Sequence, residues 1–327
     1  MISVFLASTP LQVICCSEAR HHYNITEKMV IYLVKPDNAK TVMQIKYLLD
    51  KFGWEDAEQI WLEKKTYYIK LACELRRLAK ESISYLFVGN LGSAAQEPFF
   101  CNLEPNKVVF LDDGVATLRY YVLINSGCLI SSVSAKKKLV LRAFCVQLKK
   151  LSIRYFEFFS FFDLCNTDCF GFQLNNLLVF SEQFALKKNP ESSEEKFVGY
   201  IGHPGRKEND FERMRQHMRS ISIKHPDIVI HYFTHRKEDP VKVKEVLDGL
   251  PVEVKSLDVP IEIEVANCLG NYVAFYSYIS TALFTLKRIF PDLAVFRIES
   301  ESFDSVPDHY HLILEHMRNV GVQAVRL

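Results

Sequence analysis

The sequence predicts an α/β protein of two domains, each a parallel sheet covered by helices on both faces. Three observations predict it. The chain has 327 residues, enough for two cores of ordinary size. Short continuous apolar runs alternate with amphipathic stretches, which is the pattern of strands buried on both faces. That alternation occurs twice, before and after the polar stretch LKKNPESSEEK at 186–196.

In the first series ISVFLA (2–7) reads as a strand, and Pro10 suits the first turn of the helix after it. MVIYLV (29–34) is the next strand, followed by helices over about 38–51 and 64–80. YLFVG (85–89) and KVVFL (107–111) are further strands, the latter ending in Asp112-Asp113-Gly114. From 135 the text changes to clustered bases and then dense phenylalanine. The bases are Lys136, Lys137, Lys138, Arg142, Lys149, Lys150 and Arg154. This stretch, about 135–165, reads as an insertion for which an anionic membrane surface, a dimer interface and ordinary core packing are equal explanations. The linker places the expected boundary between domains 1–188 and 189–327.

The second series reads as strands FVGYIG (197–202), IVIHYF (228–233), VEVK (252–255), YVAFY (272–276) and LAVFRI (293–298). Helices are expected over about 210–222, 240–248, 260–267, 279–289 and 307–319. In parallel sheets ligands sit at the carboxyl ends of the strands, so the polar residues placed there are the candidates.

Composition narrows the classes. Net charge is +1, which gives no field for nucleic acid. Nine cysteines without disulfide-like spacing fit a reducing compartment. Cys165 and Cys169 have no second pair at zinc-site spacing. The first residues read as a strand rather than a leader, and no apolar run reaches membrane-span length. Asp-x-Asp, GxGxxG, Walker and Gly-x-Ser-x-Gly patterns are missing, which weighs against metal-clamped sugar transfer, dinucleotide oxidoreduction, P-loop hydrolysis and serine hydrolysis.

Each candidate has two readings. Asp112 and Asp113 are a shared-proton pair or a general base, or a turn that uses Asp and Gly for backbone tolerance. His235, before Arg236 and Lys237, is a phosphate contact or a helix-start histidine. His203-Pro204 follows Gly202 in a loop that brings backbone close to something, and Asp210 beyond it is a base or a helix cap. Glu262 sits near a short helix. Ser277, Ser280 and Thr281 mark a helix start that suits phosphate or serves only as a cap.

Taken in order, STPLQ (8–12), LDDG (111–114), YIGHP (200–204), YFTHRKE (232–238), PIEIE (260–264) and YSYISTALF (276–284) resemble bacterial sialyltransferases, especially glycosyltransferase family 52. That family acts on lipooligosaccharide and capsule. The resemblance spans most of the chain, with Arg236 standing where many relatives carry proline. It implies a GT-B architecture of two Rossmann-like domains with the active site in the interdomain cleft. It further implies inverting, metal-independent transfer from CMP-sialic acid to a galactose-terminated surface glycan, without a cofactor.

In the implied roles His235, beside Arg236 and Gly202, hydrogen-bonds the CMP phosphate. Glu262 takes the ribose hydroxyls, and Ser280 and Thr281 hold the phosphate. Asp210 is the expected base, with Asp112 or Asp113 as the other choice and Asp113 ordering the cleft. His203 is the alternative to His235. The expected setting is cytoplasmic, peripheral on the inner membrane, with pairing into a homodimer. The rival readings are a UDP-sugar hexosyltransferase of the same fold and a non-catalytic glycan-binding or assembly protein.

Overall fold

The computed structural model describes residues 1–34, 36, 38–63, 66–126, 135–144, 146, 156–168, 170–185, 195–203, 208–268, 270–299 and 308–327. The chain divides into two compact units, Met1–Phe180 and Ser181–Leu327. The linker expected around 188 lies outside the described residues.

The first unit is built on seven strands. They are β1 (Ile2–Ala7), β2 (Lys28–Val34), β3 (Glu58–Leu62), β4 (Ile83–Val88), β5 (Lys107–Leu111), β6 (Phe156–Ser160) and β7 (Phe170–Leu174). Their order is β3-β2-β1-β4-β5-β6-β7, and every pairing is parallel. β1 is buried along its whole length, as expected of a central strand covered on both faces. Phe5 stacks on Phe87 of β4 at 4.4 Å, and Trp54 meets Phe5 edge-on at 5.0 Å. The Trp54 indole N–H donates to Ser17 Oγ at 2.8 Å, which removes the cost of burying it.

The phenylalanine-rich text is part of this core. Phe156, Phe158 and Phe159 of β6 are buried, and Phe170 of β7 stacks on Phe156. Core packing therefore accounts for 156–162, where an insertion was the expectation. Helix Ala135–Ala143 holds the described bases Lys138 and Arg142. Lys149, Lys150 and Arg154 lie outside the described residues.

The second unit has six strands: β8 (Phe197–Ile201), β9 (Val229–Phe233), β10 (Val252–Lys255), β11 (Tyr272–Ser277), β12 (Ala294–Ile298) and β13 (Gln323–Val325). Their order is β10-β9-β8-β11-β12-β13, again all parallel. Its core joins Val198, Tyr200, Ile230, Tyr232 and Tyr276 to Met214, Met218 and Ile221 of helix Glu208–Lys224. Both units are Rossmann-like. Among the described residues no helix is long and apolar enough to cross a membrane, and no three His, Cys, Asp or Glu side chains are grouped to hold a metal ion.

Candidate functional site

In the second sheet the chain winds from β8 through β9 to β10, then crosses to β11 on the other side of β8. Strand order reverses beside β8, and in parallel sheets the carboxyl ends of the strands at such a reversal are where ligands are commonly held. Four predicted residues come to this edge. Gly202 and His203 follow β8, His235 follows β9, and Ser280 follows β11 as the cap of helix Thr281–Ile289.

His235 is held by its own turn. Its backbone N–H donates to Glu238 Oε2 at 2.7 Å, and Glu238 Oε1 accepts from the Tyr232 hydroxyl at 2.8 Å. The Lys237 backbone N–H donates to His235 Nδ1 at 3.2 Å. That contact leaves the proton of the neutral ring on Nε2, which becomes the outward donor. Burial lowers the imidazole pKa, with Arg236, His203 and Lys237 lowering it further against the pull of Glu238. Gly202 leaves room for this brace: a Cβ would lie 2.0 Å from Glu238 Oε2 and 2.9 Å from the Tyr232 hydroxyl, so a larger residue has to displace the Glu238 carboxylate.

His203 is exposed and meets the Tyr278 ring edge-on at 5.8 Å. The Tyr278 hydroxyl in turn lies 3.4 Å from His217 Nδ1. Pro204 lies outside the described residues. The two histidines weighed against each other in the sequence thus flank one edge, His203 after β8 and His235 after the neighbouring β9.

Ser280 Oγ accepts from the Ala282 N–H at 3.3 Å, so this hydroxyl caps its helix. Ser277 does not begin that helix. It ends β11, buried, and its hydroxyl donates to the Ile201 carbonyl at 2.9 Å, tying β11 to β8. Glu262, on helix Ile261–Asn267, is buried and accepts from the Thr285 hydroxyl at 2.5 Å. Burial raises its carboxyl pKa, and the Thr285 bond opposes that rise. Thr285 sits on the helix that Ser280 caps, so Glu262 is anchored to the same element. Asp210 is the third residue of helix Glu208–Lys224 and half-buried, inside the first turn rather than capping it.

In the first unit the two adjacent aspartates part company. Asp112 is fully buried and accepts from the Ser160 hydroxyl at 2.6 Å and the Phe161 N–H at 2.7 Å. Burial pushes its carboxyl up to about 7, with Ser160, Phe161 and Thr117 pulling it down and Asp113 pushing it up. Sealed in this way, Asp112 ties the end of β5 to the end of β6 and is not placed to meet a substrate. Asp113 is half-buried and turns the other way, accepting from Gln12 Nε2 at 2.6 Å and from Asn90 Nδ2. The two carboxyls accept from different donors, while Asp113 still pushes the Asp112 carboxyl up.

Sequence reasoning missed Glu238, Thr285, Gln12 and Asn90. Glu238 had a signal, since a glutamate three residues after a turn residue often reaches back to its N–H. The other three act across long sequence separations that no local pattern reports.

No protein-family model and no curated protein matches the sequence. Solved structures do match in fold. A Listeria monocytogenes protein assigned as a UDP-N-acetylglucosamine 2-epimerase aligns at TM-score 0.58 and 12% identity, over 91% of this chain and 78% of that one. The S. aureus MnaA–UDP structure aligns at 0.56 and 13%, over 91% and 79%. The UDP-GlcNAc 2-epimerase of Neisseria meningitidis, bound to UDP-GlcNAc, aligns at 0.56 and 12%, over 96% and 85%. The chain therefore has the two-domain GT-B-type fold.

Two outcomes follow from this geometry. Gly202→Ala, which forces Glu238 aside, lowers the unfolding free energy in urea by about 1–3 kcal/mol. Asp112 has a folded-state pKa above its unfolded value, so it favours folding below the usual carboxylate range and loses that contribution as pH rises towards 7. Unfolding free energy measured from pH 4 to 7 carries this decline in the native protein, and Asp112→Asn removes it.

Proposed function

We propose that the protein is an inverting sialyltransferase that moves sialic acid from CMP-sialic acid to a galactose-type hydroxyl of a bacterial surface glycan. The single observation that carries this reading is His235, whose Nδ1 accepts from the Lys237 N–H and whose Nε2–H is left to donate at the carboxyl-end edge of the second sheet. A donor fixed in that way suits the phosphate of a departing nucleoside monophosphate.

In this mechanism the acceptor oxygen attacks the anomeric carbon, the bond to the CMP phosphate breaks, and configuration inverts. His235 Nε2–H stabilises the charge that develops on the phosphate. Ser280, Thr281 and the first amides of their helix supply further donors. Glu262, held by Thr285, takes the ribose hydroxyls, and Arg236 adds positive charge. Asp210 receives the acceptor proton. A monophosphate leaving group served by these donors needs no divalent ion, so activity is expected to survive EDTA. The acceptor would be lipooligosaccharide or capsule glycan at the cytoplasmic face of the inner membrane.

Calorimetric titration of CMP and UDP, with EDTA present, tests the donor. CMP is expected to bind and UDP is not. His235→Ala should weaken CMP about 10- to 100-fold, the range for losing a hydrogen bond to a charged group, and slow turnover about 10²- to 10³-fold. UDP binding in place of CMP would favour the rival reading, hexosyl transfer from a UDP-sugar. CMP binding indifferent to His235 would shift the role to His203.

The pH dependence has a definite sign. The neutral ring donates from Nε2 at pH 8, and a bound phosphate favours the imidazolium as pH falls, against the burial and neighbouring cations that lower this ring's pKa. The ratio of the His235→Ala dissociation constant to that of the native protein should therefore grow between pH 8 and pH 5.5. Taking the ratio cancels the ionisation of CMP itself. A flat ratio would remove His235 from the phosphate.

A further inference from the structure

The outer edge of the second sheet carries a groove that the donor chemistry does not use. It lies between helix Asp308–Asn319 and the strand pair β12–β13. β11 separates this edge from β8 and β9, after which Gly202 and His235 stand. The groove holds about 750 Å³, within the ~300–1,000 Å³ of small-molecule sites. Arg297 of β12 and Ala324 of β13 are register partners, so their side chains emerge on one face of the sheet, and both line the groove. Ala324 is exposed and small, which keeps space open beside the guanidinium. His311, Leu314, Glu315 and Arg318 recur at helical spacing and form the facing wall.

Arg297 is the informative member. Its side chain is 11% exposed, and among the described residues its hydrogen-bond and ion-pair partner is Glu299, reached from Nη2 at 3.4 Å. Glu299 is itself divided. Its Oε2 accepts the closer bond from Arg326 Nε at 2.9 Å, and Arg326, ahead of Arg297, holds the Glu299 carboxyl below its usual pKa. A guanidinium carries five N–H donors, and hiding it is costly unless its charge and donors are matched. The Glu299 contact uses one donor, at the long end of hydrogen-bonding range. Because Arg297 lines the groove, a bound anion can reach the others.

Charge and shape set the ligand class. Arg297 and Arg318 stand against Glu315, an excess of one positive charge with His311 neutral. That balance suits a monoanion, whereas a phosphate dianion would meet the Glu315 carboxylate with too little charge to offset it. A planar carboxylate matches the guanidinium fork and takes two parallel N–H donors. Leu314 and Val322 add apolar surface for the rest of the molecule.

We propose that this groove binds a small carboxylate with an apolar body, held through Arg297. The binding is independent of which sugar nucleotide the protein takes.

The test titrates hexanoate, hexanol and hexyl phosphate separately into the full chain, read by ligand-observed NMR. Hexanoate should bind about tenfold or more tightly than either of the others, since only it pairs one negative charge with the fork. Arg297→Met should weaken hexanoate about 10- to 100-fold, to the level of hexanol. Arg297→Lys keeps the charge without the fork and should recover only part of that loss. Ala324→Leu fills the groove from an exposed position and should weaken hexanoate and hexanol alike. Arg297→Met should melt at or above the native temperature, because a poorly paired buried charge is exchanged for an apolar side chain.

Hexanoate binding no tighter than hexanol overturns the proposal, and tighter binding of hexyl phosphate overturns the monocarboxylate assignment. Native-like hexanoate affinity in Arg297→Met or in Ala324→Leu overturns it equally. A lowered melting temperature in Arg297→Met, with Ala324→Leu still binding hexanoate, would make Arg297 a structural ion-pair residue instead.

Discussion

A parallel sheet covered on both faces leaves its polar side chains one place to go. Strand interiors in both units are mostly apolar, and the polar side chains buried within them find partners, as Ser3 does in Glu27 and His231 in the Tyr272 hydroxyl. Most of the candidate site residues accordingly stand at or beyond the carboxyl ends, where the backbone leaves the sheet. Because β8 lies between β9 and β11, residues after three neighbouring strands share one edge. His203, His235 and Ser280 meet there for that reason, although the sequence between them is long.

The same constraint separates scaffold from site within a single dipeptide. Successive residues leaving β5 point to opposite sides, so Asp112 turns into the sheet and Asp113 turns out. Asp112 is tolerated because Ser160 and Phe161 satisfy it, and its carboxyl rises towards 7 because water does not. Asp113 keeps partial exposure and is steered by neutral amides. His235 follows a similar logic in the second unit. Glu238 braces its backbone, the Lys237 N–H selects its tautomer, and the ring is left with one outward donor.

The fold was legible because its strands are short, continuous and apolar; β1, β2, β4, β5 and β8 to β12 read directly as such. β3 was missed since EQIWL begins with two exposed polar residues, and β13 has three residues, too few for any period. β6 fell inside the stretch read as an insertion and β7 just beyond it was not read as a strand, because dense phenylalanine beside clustered lysine suggests a surface more readily than strands buried among aromatics. At the site, His235, Glu262 and Ser280 were visible as polar residues after strands. Ser277 was misplaced by a few residues, across a strand end that composition does not mark. Gln12, Asn90 and Thr285 were illegible, since each earns its place through one partner distant in sequence.

The most direct measurement of the central claim is a transfer reaction followed by proton NMR. CMP-sialic acid and lactose are mixed with the protein in EDTA, and both CMP release and the anomeric configuration of the product are read. The account predicts CMP released in step with sialylated lactose, with the anomeric centre inverted and the rate sharply reduced in His235→Ala. An intact donor, release of free sialic acid without transfer, or retained configuration would contradict it.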